Sequence, residues 1–243
     1  MSAPRRFRPV PALLLAWLLV FSLPGQRGGK HTARDLFYSE AGLIVSSEGG
    51  GRGRFGAAKK SVIAVTLGLK YRLWKLTLGR ALEADPAGPF LPGEPIRLTV
   101  ETNDAGYLYI VHLQPGGLWR RLFPDPDIEQ GNHFIRSGLI YPIPPEEGLE
   151  LQFPSGQERL FVALSRAPIK ELEALVSPPR PAHTVSAAEP PSVPEAVLVR
   201  IRSLLNNKDL VTERDHQEKA VYLVNRTARP DALVAAEIRL RSR

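Results

Sequence analysis

The sequence predicts a mainly β protein, in which a β-sandwich-like domain with one or two short helices follows a signal peptide and a flexible leader. Short runs rich in β-branched and aromatic residues recur from residue 61 to the C-terminus, and such residues favour strands. Clusters of proline and glycine separate many of these runs, as turns between strands require. Several runs alternate apolar and polar residues, which is typical of strands that bury one face. This regular spacing indicates a sandwich within residues 61–243.

Residues 1–25 have the pattern of a signal peptide. Arg5, Arg6 and Arg8 precede an apolar run at residues 10–23, and this run is shorter than the roughly 20 residues that a membrane-spanning helix needs. A proline-glycine pair ends the run. We therefore expect export to the periplasm or beyond the cell. If the segment stays uncleaved, it anchors the protein, and it is the only membrane contact that the sequence predicts.

Residues 26–60 predict a flexible basic leader with little apolar surface. The leader contains seven Lys/Arg against three Asp/Glu, so much of the net charge of +7 lies near the N-terminus. Beyond residue 80 the chain has 18 Lys/Arg against 22 Asp/Glu. Because a nucleic-acid-binding domain carries its basic surface on the folded body, we expect no nucleic-acid partner.

Ten runs predict strands, and two stretches predict helices. In the run at residues 71–78, Trp74, Leu76 and Leu78 fall on one face. The run Gly106–Leu113 is apolar at successive positions, which indicates a central strand covered on both faces and joined by a hairpin to the next run. The predicted strands lie at residues 61–69, 71–78, 95–102, 106–113, 118–123, 138–143, 149–153, 159–165, 220–225 and 233–240. The predicted helices lie at residues 168–175 and 194–205, with a Pro-rich loop at 177–194.

Motifs for cofactors and metals are weak in this sequence. Gly51, Gly53 and Gly56 have the spacing of a dinucleotide fingerprint, but that motif requires a strand-to-helix turn, and a β-type run follows here. The five histidines are scattered, and cysteine is absent. We therefore expect no cofactor. Alternating acidic residues at Asp125, Asp127 and Glu129 predict either an aspartate-capped turn or a calcium site that lacks the usual spacing.

The sequence contains no motif of a serine hydrolase or zinc protease. We therefore expect that the protein is not an enzyme. One alternative stays open, because a glycosidase needs only two carboxylates that the fold brings together. An unrecognised hydrolase is accordingly one interpretation of the sequence.

From about residue 71 to residue 240 the chain resembles the domain-of-unknown-function family 4384. The resemblance rests on the ordered strings PGEPIRLTVET, GYLYIVHL, LFPDP, GLIYPIP and FVALSRAPI, and on the closing VYLVNR and EIRL. The resemblance implies a bacterial module that occurs alone after a signal peptide or fused to kinase, caspase-like or envelope proteins, and it carries over no catalytic residue. The family-like positions are Gly93, Glu94, Gly106, Tyr107, Tyr109, Phe123, Pro124 and Gly138.

The family-like positions also have a structural interpretation. Gly93 and Gly106 have the pattern of turn formers, and Tyr107 and Tyr109 that of strand aromatics with a polar tip. We expect these tyrosines to pack in the sheet.

The hairpin strand after Gly106–Leu113 predicts a contact surface. Trp119, Arg120, Arg121 and Phe123 would alternate aromatic and cationic side chains on an exposed strand, which suits a glycan or peptide of an envelope partner. The expected function is therefore a non-catalytic binding or adaptor module of the bacterial envelope. A purely structural envelope protein is the main alternative.

Overall fold

The computed structural model confirms a mainly β fold with two short helices. It describes residues 31–39, 43–44, 63–113, 117–152, 157–175, 192–204 and 208–243. These residues form two seven-stranded sheets and a two-stranded ribbon. The predicted signal peptide at residues 1–25 lies outside the described residues. In the part of the chain that is described, no helix is long and apolar enough to cross a membrane.

The strands of sheet I are β3 (Leu67–Thr77), β4 (Arg80–Ala84), β6 (Pro95–Thr102), β10 (Tyr141–Ile143), β11 (Leu149–Glu150), β14 (Leu210–Asp215) and β15 (Ala220–Asn225). Their order is β10-β6-β3-β15-β14, with β11 beside β6 and β4 beside β3. All pairs in this sheet are antiparallel.

The strands of sheet II are β5 (Pro89–Phe90), β7 (Gly106–Leu113), β8 (Trp119–Phe123), β9 (Phe134–Ile135), β12 (Gln157–Ser165), β13 (Ser192–Val193) and β16 (Leu233–Ser242). Their order is β13-β8-β7-β12-β16-β5, with β9 beside β7. Among these described strands, only the β16–β5 pair is parallel.

The remaining elements are short. Helix α1 covers Ala33–Tyr38 and helix α2 covers Glu195–Leu204. Single 3-10 turns occur at Glu129–Gly131 and Glu173–Leu175. The ribbon pairs β1 (Leu43–Ile44) with β2 (Ile63–Ala64).

One core fills the space between the sheets, because both inner faces carry apolar residues at alternate positions. Strand β6 has the predicted alternation, and every second residue from Ile96 is buried. Leu108 and Ile110 of β7 join this core from sheet II. A β-strand places alternate side chains on opposite faces, so one apolar face per strand suffices for a sandwich.

Strand β7 is a central strand of sheet II, as predicted. It lies between β8 and β12 and is buried on both faces. Leu108 and Ile110 enter the core between the sheets, whereas Tyr109 and Val111 enter a second core on the outer side. In that second core α2 packs on the sheet through Leu198, as the apolar stripe predicted.

Helix α1 packs on the outer face of sheet I, which corrects the predicted leader at residues 26–60. Thr32 caps the helix in a capping box with Asp35, so two backbone donors at its start are satisfied. Ala33 and Phe37 are buried against Tyr222 and other residues of β15. This segment is therefore folded. The rest of the leader lies outside the described residues, apart from β1.

Some element boundaries differ from the predictions. Strand β3 joins the end of the run predicted at 61–69 to the run predicted at 71–78, whereas Ile63–Ala64 of the first run form β2. Leu78, predicted to share a face with Trp74 and Leu76, lies in the following turn with φ of 49° and is 98% exposed. The helix predicted at 168–175 is a turn with one 3-10 segment.

Among the described residues of the strands predicted at 138–143 and 149–153, Tyr141–Ile143 and Leu149–Glu150 pair with β6, so these strands are shorter than expected. The Pro-rich loop predicted at 177–194 is described only from residue 192, and there it forms β13.

Candidate functional site

The predicted contact residues on β8 do not form an exposed surface. Trp119 and Phe123 are both fully buried. Trp119 lies in the outer core beneath α2, and its indole donates a hydrogen bond to Glu195 of that helix. Phe123 lies in the core between the sheets. The prediction of an exposed aromatic strand is therefore wrong, because α2 and sheet I cover opposite faces of β8.

The two cations of that prediction are half-buried within the sheet. Arg120 lies opposite Ser192 of β13, so the edge of β8 is covered here by another strand. Arg121 lies opposite Val111 of β7. The structure therefore does not bring Trp119, Arg120, Arg121 and Phe123 together on one accessible face.

Three family-like glycines have backbone roles. Gly93 and Gly138 both have φ of +74°, a left-handed conformation that glycine adopts without strain. Gly106 was predicted to form a turn but begins β7. A Cβ at Gly106 would lie 2.8 Å from the carbonyl oxygen of Ser165, so this glycine permits close approach of β12.

The other family-like positions are held in the fold. The Glu94 carboxylate accepts from the backbone of Leu91 at 3.0 Å and pairs with Lys75 at 3.0 Å. Pro124 is buried and follows Phe123 through a cis peptide bond. These positions therefore carry turn and sheet contacts.

The family-like tyrosines pack in the sheet, as predicted. Tyr109 is 1% exposed. Its hydroxyl donates to Glu173 and accepts from the backbone amide of Ile169 at 3.1 Å. Burial, then the Glu173 hydrogen bond, raises the pKa of Tyr109 far above its ordinary value. Tyr107 is half-buried and contacts Phe134 edge-on, with ring centroids 5.1 Å apart.

The acidic turn after β8 has the geometry of an aspartate-capped turn. The Asp125 carboxylate accepts a hydrogen bond from the backbone amide of Asp127 at 2.8 Å. Among the described residues no group of three His, Cys, Asp or Glu side chains is arranged to hold a metal ion. The geometry favours the turn interpretation.

His112 and Glu158 form a buried pair inside sheet II. The Nε2 atom of His112 lies 2.7 Å from Glu158 Oε2, and the other carboxylate oxygen accepts from the backbone amide of Gln152 at 2.8 Å. Their side chains are 5% and 1% exposed. Because both side chains are enclosed, we assign this pair a structural role. It links β7 to β12 and holds the segment after β11 against them.

The outer face of sheet I carries a row of polar and aromatic side chains. Lys70, Arg72 and Trp74 follow one another on this face of β3, since alternate residues share a face. The register places Lys70 opposite Glu101 and Arg72 opposite Thr99 on β6. The Lys70 ammonium lies 3.4 Å from the Glu101 carboxylate. The Trp74 indole donates to the Thr99 hydroxyl at 3.0 Å.

A groove follows this row, and we call it the sheet I groove. Lys70, Arg72, Trp74, Thr99, Glu101 and Ile140 line a cavity of about 80 Å³. Ile140 is 65% exposed and its neighbour Leu139 is 45% exposed. The groove therefore combines a paired charged floor with an apolar wall open to solvent.

A wider cleft adjoins the sheet I groove at Glu101. It has a volume of about 520 Å³ and lies between Tyr38 of α1 and the turn at Gly138. Tyr38 is 50% exposed. In the described part of the chain, helix α1 thus covers one part of this face and leaves the part over β3 and β6 accessible.

A network of charges attaches α1 to sheet I, with Glu218 at its centre. The Glu218 carboxylate accepts from the Tyr222 hydroxyl at 2.6 Å. It lies 2.5 Å from Arg34 of α1 and 3.1 Å from Arg72. The Tyr222 hydrogen bond is the largest cause that keeps the pKa of Glu218 below its ordinary value, and Lys70 and Arg34 act in the same direction.

Lys70 is enclosed by this network. Its side chain is 8% exposed, and its ammonium donates to the Tyr38 hydroxyl at 2.6 Å. The ammonium also lies 5.3 Å and 5.5 Å from the ring centres of Tyr38 and Tyr222, within the range of a cation–π interaction. The buried cation is therefore paired, as burial of a charge requires.

Sequence reasoning missed this site. Two signals could have found it. Thr32 and Asp35 have the spacing of a capping box, which indicates a helix in the leader. Lys70, Arg72 and Trp74 recur at the period of a strand, which indicates one polar face on β3.

Comparison with known families supports the resemblance stated from the sequence. Residues 90–168 match the family described as Domain of unknown function (DUF4384). The matched residues run from β5 to just beyond β12, and they include Glu101, Gly138 and Ile140 of the two clefts. The search of curated proteins and the search of solved structures found no match.

Proposed function

We propose that this chain, with its DUF4384 segment at residues 90–168, is a non-catalytic binding module that is exported to the bacterial envelope. We further propose that its sheet I groove holds a peptide segment of an envelope protein. The observation that carries the proposal is the part of sheet I that the described residues leave uncovered, where Trp74 and Ile140 border a row of paired charges.

The two outer faces of the sandwich differ in accessibility. Helix α2 and the turn at residues 168–175 cover sheet II through a second apolar core. Among the described residues, helix α1 covers sheet I beside β14, β15 and one side of β3. Exposed apolar residues next to an accessible groove are typical of contact surfaces, and tryptophan and arginine are enriched among residues that dominate binding.

The ion-paired side chains of the groove favour binding of a ligand over catalysis. Lys70 pairs with Glu101 at 3.4 Å, and Arg72 pairs with Glu83 at 3.6 Å. Paired side chains have fixed positions and compensated charges, so they select the orientation of a polar ligand. The apolar wall at Ile140 supplies area that a peptide side chain would bury.

The export part of the proposal rests on the basic N-terminus and the short apolar run at residues 10–23. Cell fractionation should find the protein outside the cytoplasm. Replacement of Leu15 and Leu18 by arginine should retain it inside. An unchanged distribution of the variant would contradict export through this segment.

Site-specific photocrosslinking tests the groove. A benzoyl-phenylalanine at position 140 should crosslink an envelope protein in living cells, because Ile140 forms the groove wall. The same group at position 199 is the matched control, since Val199 is a 53% exposed apolar residue on α2. Trp74→Ala should weaken the crosslink at 140. Equal crosslinks at both positions, or none, would refute the groove and favour a purely structural role.

A further inference from the structure

A third cleft lies at the open side of the sandwich, away from the sheet I groove. It has a volume of about 450 Å³, within the range of pockets that hold small organic ligands. Its lining comes from three places, namely Tyr71 and Arg214 on sheet I, Arg239 and Arg241 on β16, and Pro86 in the loop before β5. We call it the arginine cleft.

The arginine cleft carries an excess of positive charge. Glu237 is the one carboxylate among the described residues that line it. That carboxylate already lies 2.8 Å from Arg202 and 3.0 Å from Arg239, so its charge is compensated. Arg214 and Arg241 have no ion-pair partner among the described residues. Their guanidinium groups are therefore available to an anion from outside.

Arg214 and Tyr71 share one side of this cleft. Both lie opposite Val221, from β14 and β3 respectively, so the three side chains point to the same face of sheet I. Tyr71 is 7% exposed, and its hydroxyl has no hydrogen-bond partner among the described residues. The hydroxyl is open to the cleft rather than fully buried, so it can donate a hydrogen bond to a ligand oxygen there.

The protonation state of Tyr71 suits a donor. Burial raises the pKa of Tyr71 to about 12, although the charge of Arg214 acts in the opposite direction. The hydroxyl therefore carries its proton at neutral pH and can donate to an anionic oxygen.

Strand β16 offers donors of a second kind. It pairs with β12 over residues 233–241 but with β5 only at residues 241–242. Most of its other edge therefore has no strand partner in the described structure. Backbone amides at an unpaired edge can donate to an anion, as they donate to a neighbouring strand elsewhere.

We propose that the arginine cleft binds a small organic oxyanion that bears phosphate or carboxylate groups. Arg214 and Arg241 supply the charge, because guanidinium groups bind such oxyanions in a bidentate manner. The Tyr71 hydroxyl adds a neutral donor at the inner end. The volume exceeds that of a single inorganic ion, so an organic body beside Pro86 completes the fit. This site is independent of the peptide groove.

Isothermal titration of the full-length protein at low ionic strength tests the proposal, with inorganic pyrophosphate and citrate as probes. We expect saturable binding of one of them at a single site. Loss of one charged hydrogen-bonding group corresponds to roughly tenfold weaker binding, so Arg214→Gln should weaken it about tenfold. Tyr71→Phe removes only the hydroxyl and should weaken binding roughly threefold to tenfold. Preference for pyrophosphate or for citrate identifies the phosphate or the carboxylate class.

Arg200→Gln is the matched control. Arg200 lies on α2, its side chain is 70% exposed, and its removal lowers the net charge as Arg214→Gln does. Thermal melting without a probe confirms that each variant is folded. Equal weakening by both arginine variants would show unspecific attraction and refute the site. Absence of binding by both probes at roughly 10 mM, a free energy of only about −2.7 kcal/mol, would refute it as well.

Discussion

Replacement of Phe37 by alanine tests whether α1 is part of the fold, although it lies in a segment whose composition predicts a flexible leader. Phe37 is 4% exposed and contacts Tyr222 edge-on, with ring centroids 5.5 Å apart. Burial of a phenylalanine removes roughly 150 Å² or more from water, which corresponds to about 4 kcal/mol at about 25 cal/mol per Å². Alanine retains the Cβ, and a short helix can detach, so we expect a loss of about 2–3 kcal/mol.

Urea denaturation of the purified protein measures this loss in the free energy of unfolding, and thermal melting gives a second measure. For a domain of this size, a loss of about 2–3 kcal/mol lowers the melting temperature by roughly 4–12 °C. Leu78→Ala is the control, because Leu78 is 98% exposed and its truncation should change stability by less than about 0.5 kcal/mol. Hydrogen exchange should show that Phe37→Ala removes protection from residues 33–38 and leaves β7 protected. If Phe37→Ala costs no more stability than the control, α1 does not pack on sheet I and is not part of the fold.

Two further predictions follow from the same structure. The pKa of Glu218 is below its ordinary value, chiefly because of the Tyr222 hydrogen bond, so its stabilising contribution is complete above roughly pH 4.3 and is lost as the pH falls through the lower folded-state pKa. Glu218→Gln should therefore flatten the fall of melting temperature between about pH 5 and pH 3, and an unchanged slope would contradict this role. Ile110→Asp places a charge in the core and should prevent folding, whereas Ile140→Asp at a 65% exposed position should leave the circular dichroism spectrum and melting temperature nearly unchanged.

The strands with strong local patterns could be predicted from the sequence. The alternation of β6 and the doubly apolar run of β7 gave correct positions, because these signals depend on residues within one strand. The stripe of α2 was predicted for the same reason. Strand β14 was missed, since its sequence LVTERD is largely polar and its place depends on pairing with β15. Backbone pairing of this kind does not require apolar and polar residues to alternate along the strand, so the sequence of β14 shows no strand pattern.

The candidate site was harder to predict, because burial depends on neighbours that are distant in sequence. Trp119 and Arg120 have the composition of a binding strand, but α2 lies more than 70 residues later and covers the tryptophan. Lys70 is separated from Glu218 by nearly 150 residues, yet their charged groups lie 3.6 Å apart. Local sequence shows that a residue can bind, but it does not show which face remains open.

The difference between the two outer faces follows from how each is covered. Among the described residues, eleven buried apolar residues join sheet II to α2 and its neighbouring segments, whereas five join sheet I to α1. Apolar burial is insensitive to pH, but the remaining attachment of α1 depends on Glu218 and its cationic partners, and surface charge pairs weaken with salt and acid. Salt or acid should therefore detach the helix that covers sheet I more easily than the elements that cover sheet II. Because Tyr38 of α1 borders the cleft beside the sheet I groove, detachment of α1 would enlarge the same face on which we place the peptide.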